Sequence, residues 1–500
     1  MTKEVIIWLT IAVYIVFMGV IGFVTSKKNK NMGDFTVGGR NAGAWMSAFS
    51  YGTAYFSAVM FIGYAGGTGW KYGLWGVLPG IGNAIIGSLL AWLVLAKRTR
   101  KVTREKGITS MPQLFEKTFQ SRSMKLFSAI VIFVFLMPYS ASVYKGLTSV
   151  CSVLLGISEM TCMIIIAIVS AVIVVAGGYV AALRADFVQG AVMLVGVGAL
   201  IFAVFNSDNV GGFADGFKNI ADKTENLNLT AFDHIGLWAT VMMTSLGTWG
   251  LPQMIHKYYG IRDDKEVKRG TVISTFFAFV VAGGGYLIGS LSHLFFDEIP
   301  AGGSDFIVPN MLNDSGIADV LVGLVLVLLI AASVSTLSSI TITAASTLTM
   351  DIVRDRFLKD KERDISFLTK IVCVIFVACS FLIAWKGTGT PILDMMSYSW
   401  GIISGSFLAP YAVSLYWKKA NSKGAWAGMI GGFAVALPPL VAKLLNSDLT
   451  LGGFGKLSDM GAHFACLSMV VSLLLVILVS AMTQNVITSK KEKNNGKQNF

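Results

Sequence analysis

Apolar runs of about twenty residues, set apart by short polar or basic turns, recur along almost the whole chain. A helix of that length rises ~30 Å, the thickness of bilayer hydrocarbon. Of the 500 residues only 14% are charged, against ~25% in a soluble domain. The chain therefore reads as an all-α polytopic membrane protein. Thirteen candidate spans fall near 5–25, 44–67, 73–96, 125–153, 159–177, 186–206, 234–257, 271–297, 318–350, 366–386, 392–416, 425–445 and 461–483. Residues 1–483 make one transmembrane domain, and 484–500 a basic tail that touches nothing more specific than anionic lipid. Lys3 alone is basic before the first run and no small-residue cleavage pattern follows, so this run is a span rather than a cleaved leader.

The net charge of +12 would suggest nucleic acid or acidic partners in a soluble protein. Here its distribution explains it. Of the 40 Lys and Arg, 32 lie in or beside the loops after spans 1, 3, 5, 7, 9, 11 and 13, leaving 8 on the other side. Basic residues mark the cytoplasmic side, which puts the N-terminus outside and the C-terminus in the cytoplasm. Opposite-side termini require an odd number of spans, and thirteen is odd. The five cysteines lie scattered through apolar segments, and the four histidines form no metal-binding spacing. No metal other than a coupling ion, no cofactor, no nucleic acid and no obligate protein partner is implied.

Two spans are not continuous Val/Ile/Leu/Phe runs. Span 2 contains "AFSYGTAYFSAVMFIGYAGGTG" and span 7 contains "MMTSLGTWGLPQM", with Pro252 unable to donate a helix hydrogen bond. Irregular backbone at membrane depth survives only where protein or a cavity satisfies it. Gly and Ser also serve close helix packing, but the two interruptions stand five spans apart. Each would open a five-span unit, about 44–206 and 234–416, and five being odd, the units run in opposite directions. Broken helices at matching places in inverted repeats point to a binding site at the bilayer midplane.

Span 9 carries nine hydroxyls in "AASVSTLSSITITAAST", residues 331–347. Most are expected to bond back to their own helix or to join neighbouring helices. Ala332, Ser335, Ser339 and Thr343 share one face, with Thr336 at its edge. A hard cation takes oxygen ligands, and the Ser335 and Thr336 hydroxyls with the Ala332 carbonyl can supply three. Carbonyls released by the break in span 2 can supply more without placing net charge in the bilayer.

Five motifs carry a resemblance over nearly the whole chain. "GDFTVGGRNAGAW", "TSMPQLFEKTF", "GGYVAALRADFVQG", "AASVSTLSS" and "KKANSKGAWAGMIGG" occur in the order found in the sodium/solute symporter family, which this chain resembles. The resemblance implies a LeuT-like five-plus-five inverted repeat with flanking helices, and symport of sodium with a small solute in a bacterial plasma membrane. It maps the sodium ligands onto the carbonyls of Thr53, Phe56 and Ala332 and the hydroxyls of Ser335 and Thr336. Asp186 matches an acidic position near the inner sodium exit; pairing with neighbouring Arg184 is its structural alternative.

For the solute, "MMSYSWGIISGSFLAP" and Tyr139 resemble the proline-transporting branch. Two positions depart from it: Tyr55 stands where an acid is common, and Thr244 where an aromatic is expected. The stretch around span 7 is closer to the pantothenate and monocarboxylate branches. Without the acid a substrate ammonium loses a partner, while half-helix N-termini favour a carboxylate. A small carboxylate-bearing solute is expected, proline or another amino acid among them, with pantothenate, a monocarboxylate or sialic acid as alternatives. Ser57, Tyr139, Thr248 and Pro252 are the candidate cavity residues. A membrane enzyme would need converging His, acid or Cys groups, and the sequence offers none. "GGFGKLSDMG" lacks the Ser/Thr of a phosphate loop. A channel or a transporter-like nutrient sensor remains as the reading from another class.

Overall fold

The computed structural model describes residues 8–14, 16, 20, 40–225, 227–314, 318–354, 362–387 and 389–495, apart from the side chains of 173–182, 362–364 and 485–495. The described backbone is helical, and its β pairing amounts to two isolated bridges. The principal helices are α1 (Ala44–Tyr55), α2 (Ala65–Tyr72), α3 (Lys97–Glu105), α4 (Met111–Phe119), α5 (Arg122–Leu155), α6 (Glu159–Phe205), α7 (Ala231–Ser245) and α8 (Pro252–Tyr259). There follow α9 (Asp264–Ala278), α10 (Ile307–Asp314), α11 (Asp319–Leu348), α12 (Glu362–Lys386), α13 (Ile392–Tyr416), α14 (Ser422–Ala436) and α15 (Gly461–Asn495).

Eight helical stretches among the described residues are long and apolar enough to cross a membrane. The sequence predicts thirteen spans, and the difference has identifiable sources. Most of span 1, nearly all of the loop after it and residues 355–361 lie outside the described residues. Spans 2 and 7 are each broken into two short helices. Span 5 counts only as the apolar stretch Glu159–Val172, because the side chains of 173–182 lie outside those described. Span 11, helix α13, is diluted by Ser, Tyr and an internal Pro410. One further difference concerns spans 5 and 6: the turn expected at 178–185 is helical, within the single 47-residue α6. At 1.5 Å per residue that is ~70 Å of helix, over twice the hydrocarbon thickness, so α6 holds the length of two spans.

Helix starts follow local chemistry. Thr230 and Asp233 form a reciprocal capping box at the start of α7. The Thr230 hydroxyl and the Lys71 ammonium hold the Asp233 carboxyl well below the usual range, at about 2, so this cap stays ionised at neutral pH. Asp263 caps α9 and Asn421 caps α14 through their side chains.

α11 is the central element. Of its most apolar stretch 78% is buried, against 33% for α15, which marks α15 as peripheral. Close crossings use glycine: a Cβ at Gly289 would lie 2.0 Å from the Ala65 carbonyl oxygen, so only hydrogen fits there. At one end of the bundle, the Ala42 amide donates to Gly260 O and the Arg262 amide to Ala42 O, each at 3.0 Å. Arg104 reinforces this closure by donating to Arg40 O at 2.6 Å and Ile261 O at 2.9 Å. At the opposite end, Asp305 accepts the Ile392 amide at 3.1 Å and lies 3.7 Å from the Lys145 ammonium.

Candidate functional site

α1 ends at Tyr55 because Phe56 is extended (φ −104°, ψ 119°). The chain resumes through π-helical turns at Val59–Tyr64. α7 ends at Ser245, passes through a 3-10 turn at Gly247–Gly250 and an extended Leu251 (φ −81°, ψ 123°), and resumes as α8 at Pro252. Both interruptions fall inside the segments the sequence singled out. Pro252 occupies the first turn of α8, where its missing amide hydrogen has no helical acceptor to meet.

The first break faces the hydroxyl stretch of α11. Thr336 Oγ1 lies 3.0 Å from Thr53 O on α1 and 3.0 Å from Ala332 O one turn earlier on its own helix. All three residues are fully buried. One hydroxyl proton cannot fully serve two carbonyls, so this cluster is rich in lone pairs and free of net charge. Such a donor set suits a hard monovalent cation. The extended Phe56 takes its carbonyl out of the regular run of α1.

Ser335 faces elsewhere with its proton. It donates to Asp186 Oδ1 at 2.5 Å, so a lone pair remains for a cation while the carboxylate fixes its orientation. Ser50 of α1 also donates to Asp186. The ion-pair partner of Asp186 is Lys257 of α8, at 3.2 Å, and not the adjacent Arg184. Lys257 also donates to Ser339 Oγ at 3.0 Å. Sequence reasoning missed Lys257, counting it among basic residues at a span end. Its signal was composition: "QMIHKYYG" surrounds it with apolar and aromatic side chains, and buried Asp186 needed a counter-charge.

The candidate solute residues lie around the two breaks. Tyr139 is fully buried, its ring edge-on to Trp400 at 5.4 Å. Trp400 is 6.5 Å from Tyr55, which stacks on Phe56 at 4.2 Å. Tyr139 Oη and Trp400 Nε1 have no hydrogen-bond partner among the described residues, so each offers a polar atom to a solute. Ser57 Oγ accepts the Val59 amide at 3.3 Å, whereas the Thr248 hydroxyl donates to Ser245 O at 2.7 Å, committing its proton to the local backbone. The two positions that depart from the proline-transporting pattern touch. Tyr55 Oη donates to Thr244 O at 2.6 Å, tying the end of α1 to the end of α7.

Discontinuous helices around a cluster of neutral oxygens are the arrangement membrane carriers use to bind ions and solutes at mid-depth. Residues 35–432 match the model of the Sodium:solute symporter family, and the chain belongs to that family of secondary, sodium-coupled transporters. It is 28% identical over 461 residues to the osmoregulated proline transporter OpuE of Bacillus subtilis, covering 89% of this chain and 91% of that one. It is also 28% identical over 476 residues to the high-affinity proline transporter PutP of the same organism, covering 93% and 96%. Among solved structures, a sodium-coupled sialic acid symporter in a substrate-bound, outward-open state superposes with a TM-score of 0.77. At 18% identity over 95% of this chain and 97% of that one, it speaks to the fold alone.

Proposed function

We propose that this protein imports a small carboxylate-bearing solute, proline foremost, together with sodium across a bacterial plasma membrane. The oxygen cluster of Thr53, Ala332 and Thr336 carries this reading, with Ser335 and the Phe56 carbonyl as its further ligands. Sodium bridging the end of α1 to α11 orders the break in span 2, next to Tyr139 and Trp400. Solute and ion thereby favour the same arrangement, which is the requirement for coupling. The inside-negative potential adds about 2.3 kcal/mol per charge per 100 mV to the sodium gradient.

Alternating access would operate on two five-span units in inverted orientation, opened by the broken helices α1/α2 and α7/α8. The charge asymmetry supports an external N-terminus and a cytoplasmic C-terminus, with thirteen spans in all. Asp186 then lies on the cytoplasmic side of the sodium ligands, as the inner exit requires. Proline is favoured by the two Bacillus relatives. The Tyr55–Thr244 contact favours a different carboxylate, because it fills both positions at which the sequence leaves the proline-transporting pattern.

The test is uptake into proteoliposomes of radiolabelled proline, pantothenate, lactate and sialic acid, with sodium or choline outside. One solute should accumulate above equilibrium with sodium alone. Equal, non-saturating entry of solutes in both salts would identify a channel, and the transporter reading would be lost.

A further inference from the structure

We propose that the Lys257 ammonium is a built-in counter-cation for Asp186 that sets how tightly the neighbouring site holds sodium. The inference rests on the sodium reading above but concerns a residue outside the expected ligand set. Its geometry is specific. The Asp186 and Lys257 side chains are 1% and 4% exposed and 3.2 Å apart. One carboxylate oxygen faces the Lys257 ammonium, while the other accepts from Ser335 at 2.5 Å. The carboxylate thus stands between a candidate sodium ligand and a fixed positive charge. Ser50 on α1 and Ser339 on α11 complete the network, so it joins α1, α6, α8 and α11.

The charge count follows. Without sodium the pair sums to zero, so this site holds no uncompensated buried charge, which would be costly. With sodium the site carries one net positive charge. Removing the ammonium leaves a bare carboxylate beside the sodium ligands and strengthens attraction. Removing the carboxylate charge leaves a bare ammonium and opposes sodium. At separations of several ångströms in a partly dry interior, one unit charge changes an ion's affinity on the order of tenfold or more. A pair that served packing alone would weaken sodium binding whichever partner was lost.

The experiment is a sodium titration of intrinsic tryptophan fluorescence on purified full-length protein in detergent, choline replacing sodium, with no solute. Lys257→Gln is expected to lower the half-saturating sodium concentration about tenfold and Asp186→Asn to raise it about tenfold. The double variant should return to within about threefold of the unaltered protein, its net charge being restored. Lys257→Met, which keeps the side-chain stem, should move with Lys257→Gln. A rise or no change in either Lys257 variant overturns the inference. If neither single variant folds, the double variant decides: a curve displaced more than about tenfold overturns it. An unaltered protein that ignores sodium contradicts the sodium reading itself, whereas a responsive protein with unshifted variants contradicts only the role of Lys257.

Discussion

Thr336 shows how one side chain can join two helices and still favour an ion. Its hydroxyl stands 3.0 Å from a carbonyl on each of α1 and α11, and its γ-methyl packs among buried neighbours. Thr336→Val keeps the shape and removes the oxygen. Losing one neutral interaction of this kind costs ~1–2 kcal/mol, so the sodium needed for half-maximal uptake should rise about tenfold. Thr336→Ser should stay near the unaltered value, and initial uptake rates across a sodium series read both. The sequence made Thr336 legible because hydroxyls are scarce in spans and nine here stand in one stretch. Lys257 was passed over despite its apolar surroundings, because a lysine at the end of an apolar run ordinarily reaches water. Only three-dimensional placement reveals that this one reaches Asp186 instead.

Between helices, the determinants are breaks and close crossings. The interruptions were legible from Gly, Ser, Thr and Pro252 in otherwise apolar runs. Their atomic form was not: the π-helical turns after Ser57 pack against α5 and α13, and the 3-10 turn at Gly247–Gly250 against α13. The Ser404 hydroxyl, for example, donates to Gly247 O at 2.5 Å. Glycine positions separate by tolerance. A Cβ at Gly289 would meet the Ala65 carbonyl at 2.0 Å, whereas one at Gly283 meets nothing within 4 Å. Gly289→Ala should therefore destabilise by ~1–3 kcal/mol. Gly283→Ala should be neutral or stabilising by up to ~1 kcal/mol, given alanine's better helix propensity. Thermal denaturation in detergent, followed by fluorescence size-exclusion, distinguishes them. Helix α10 was not anticipated, since its stretch falls between candidate spans 8 and 9; its apolar Ile307, Val308, Met311 and Leu312 are buried against the bundle.

Taken whole, the molecule is fastened at both ends of the solute region, by the Ala42–Ile261 bridge at one and by Asp305 at the other. Asp305 gives the second closure a pH dependence. Burial raises its carboxyl above the ordinary carboxylate value, with the Lys145 ammonium opposing that shift. Closure thus favours the protonated form, and acid strengthens it. Closure should weaken as pH rises from the ordinary carboxylate value through the raised one. Hydrogen exchange of residues 304–314, compared at each pH with Asp305→Asn, should show protection declining over that window, while the variant contributes no slope of its own. At this scale the helical, membrane-spanning character was legible from run lengths, and the two breaks from the residues that interrupt those runs. The turn expected within α6 was not reproduced, because apolar helix-forming residues flank it on both sides.

The central claim is that neutral oxygens at the break in span 2 and the Ser335–Thr336 pair hold one sodium ion. Equilibrium binding of radiolabelled sodium to purified protein, without any solute, tests it most directly. Saturable binding should occur in the unaltered chain, with Ser335→Ala/Thr336→Ala weakening it at least tenfold while leaving the protein folded. Equal binding by the two proteins would contradict the account.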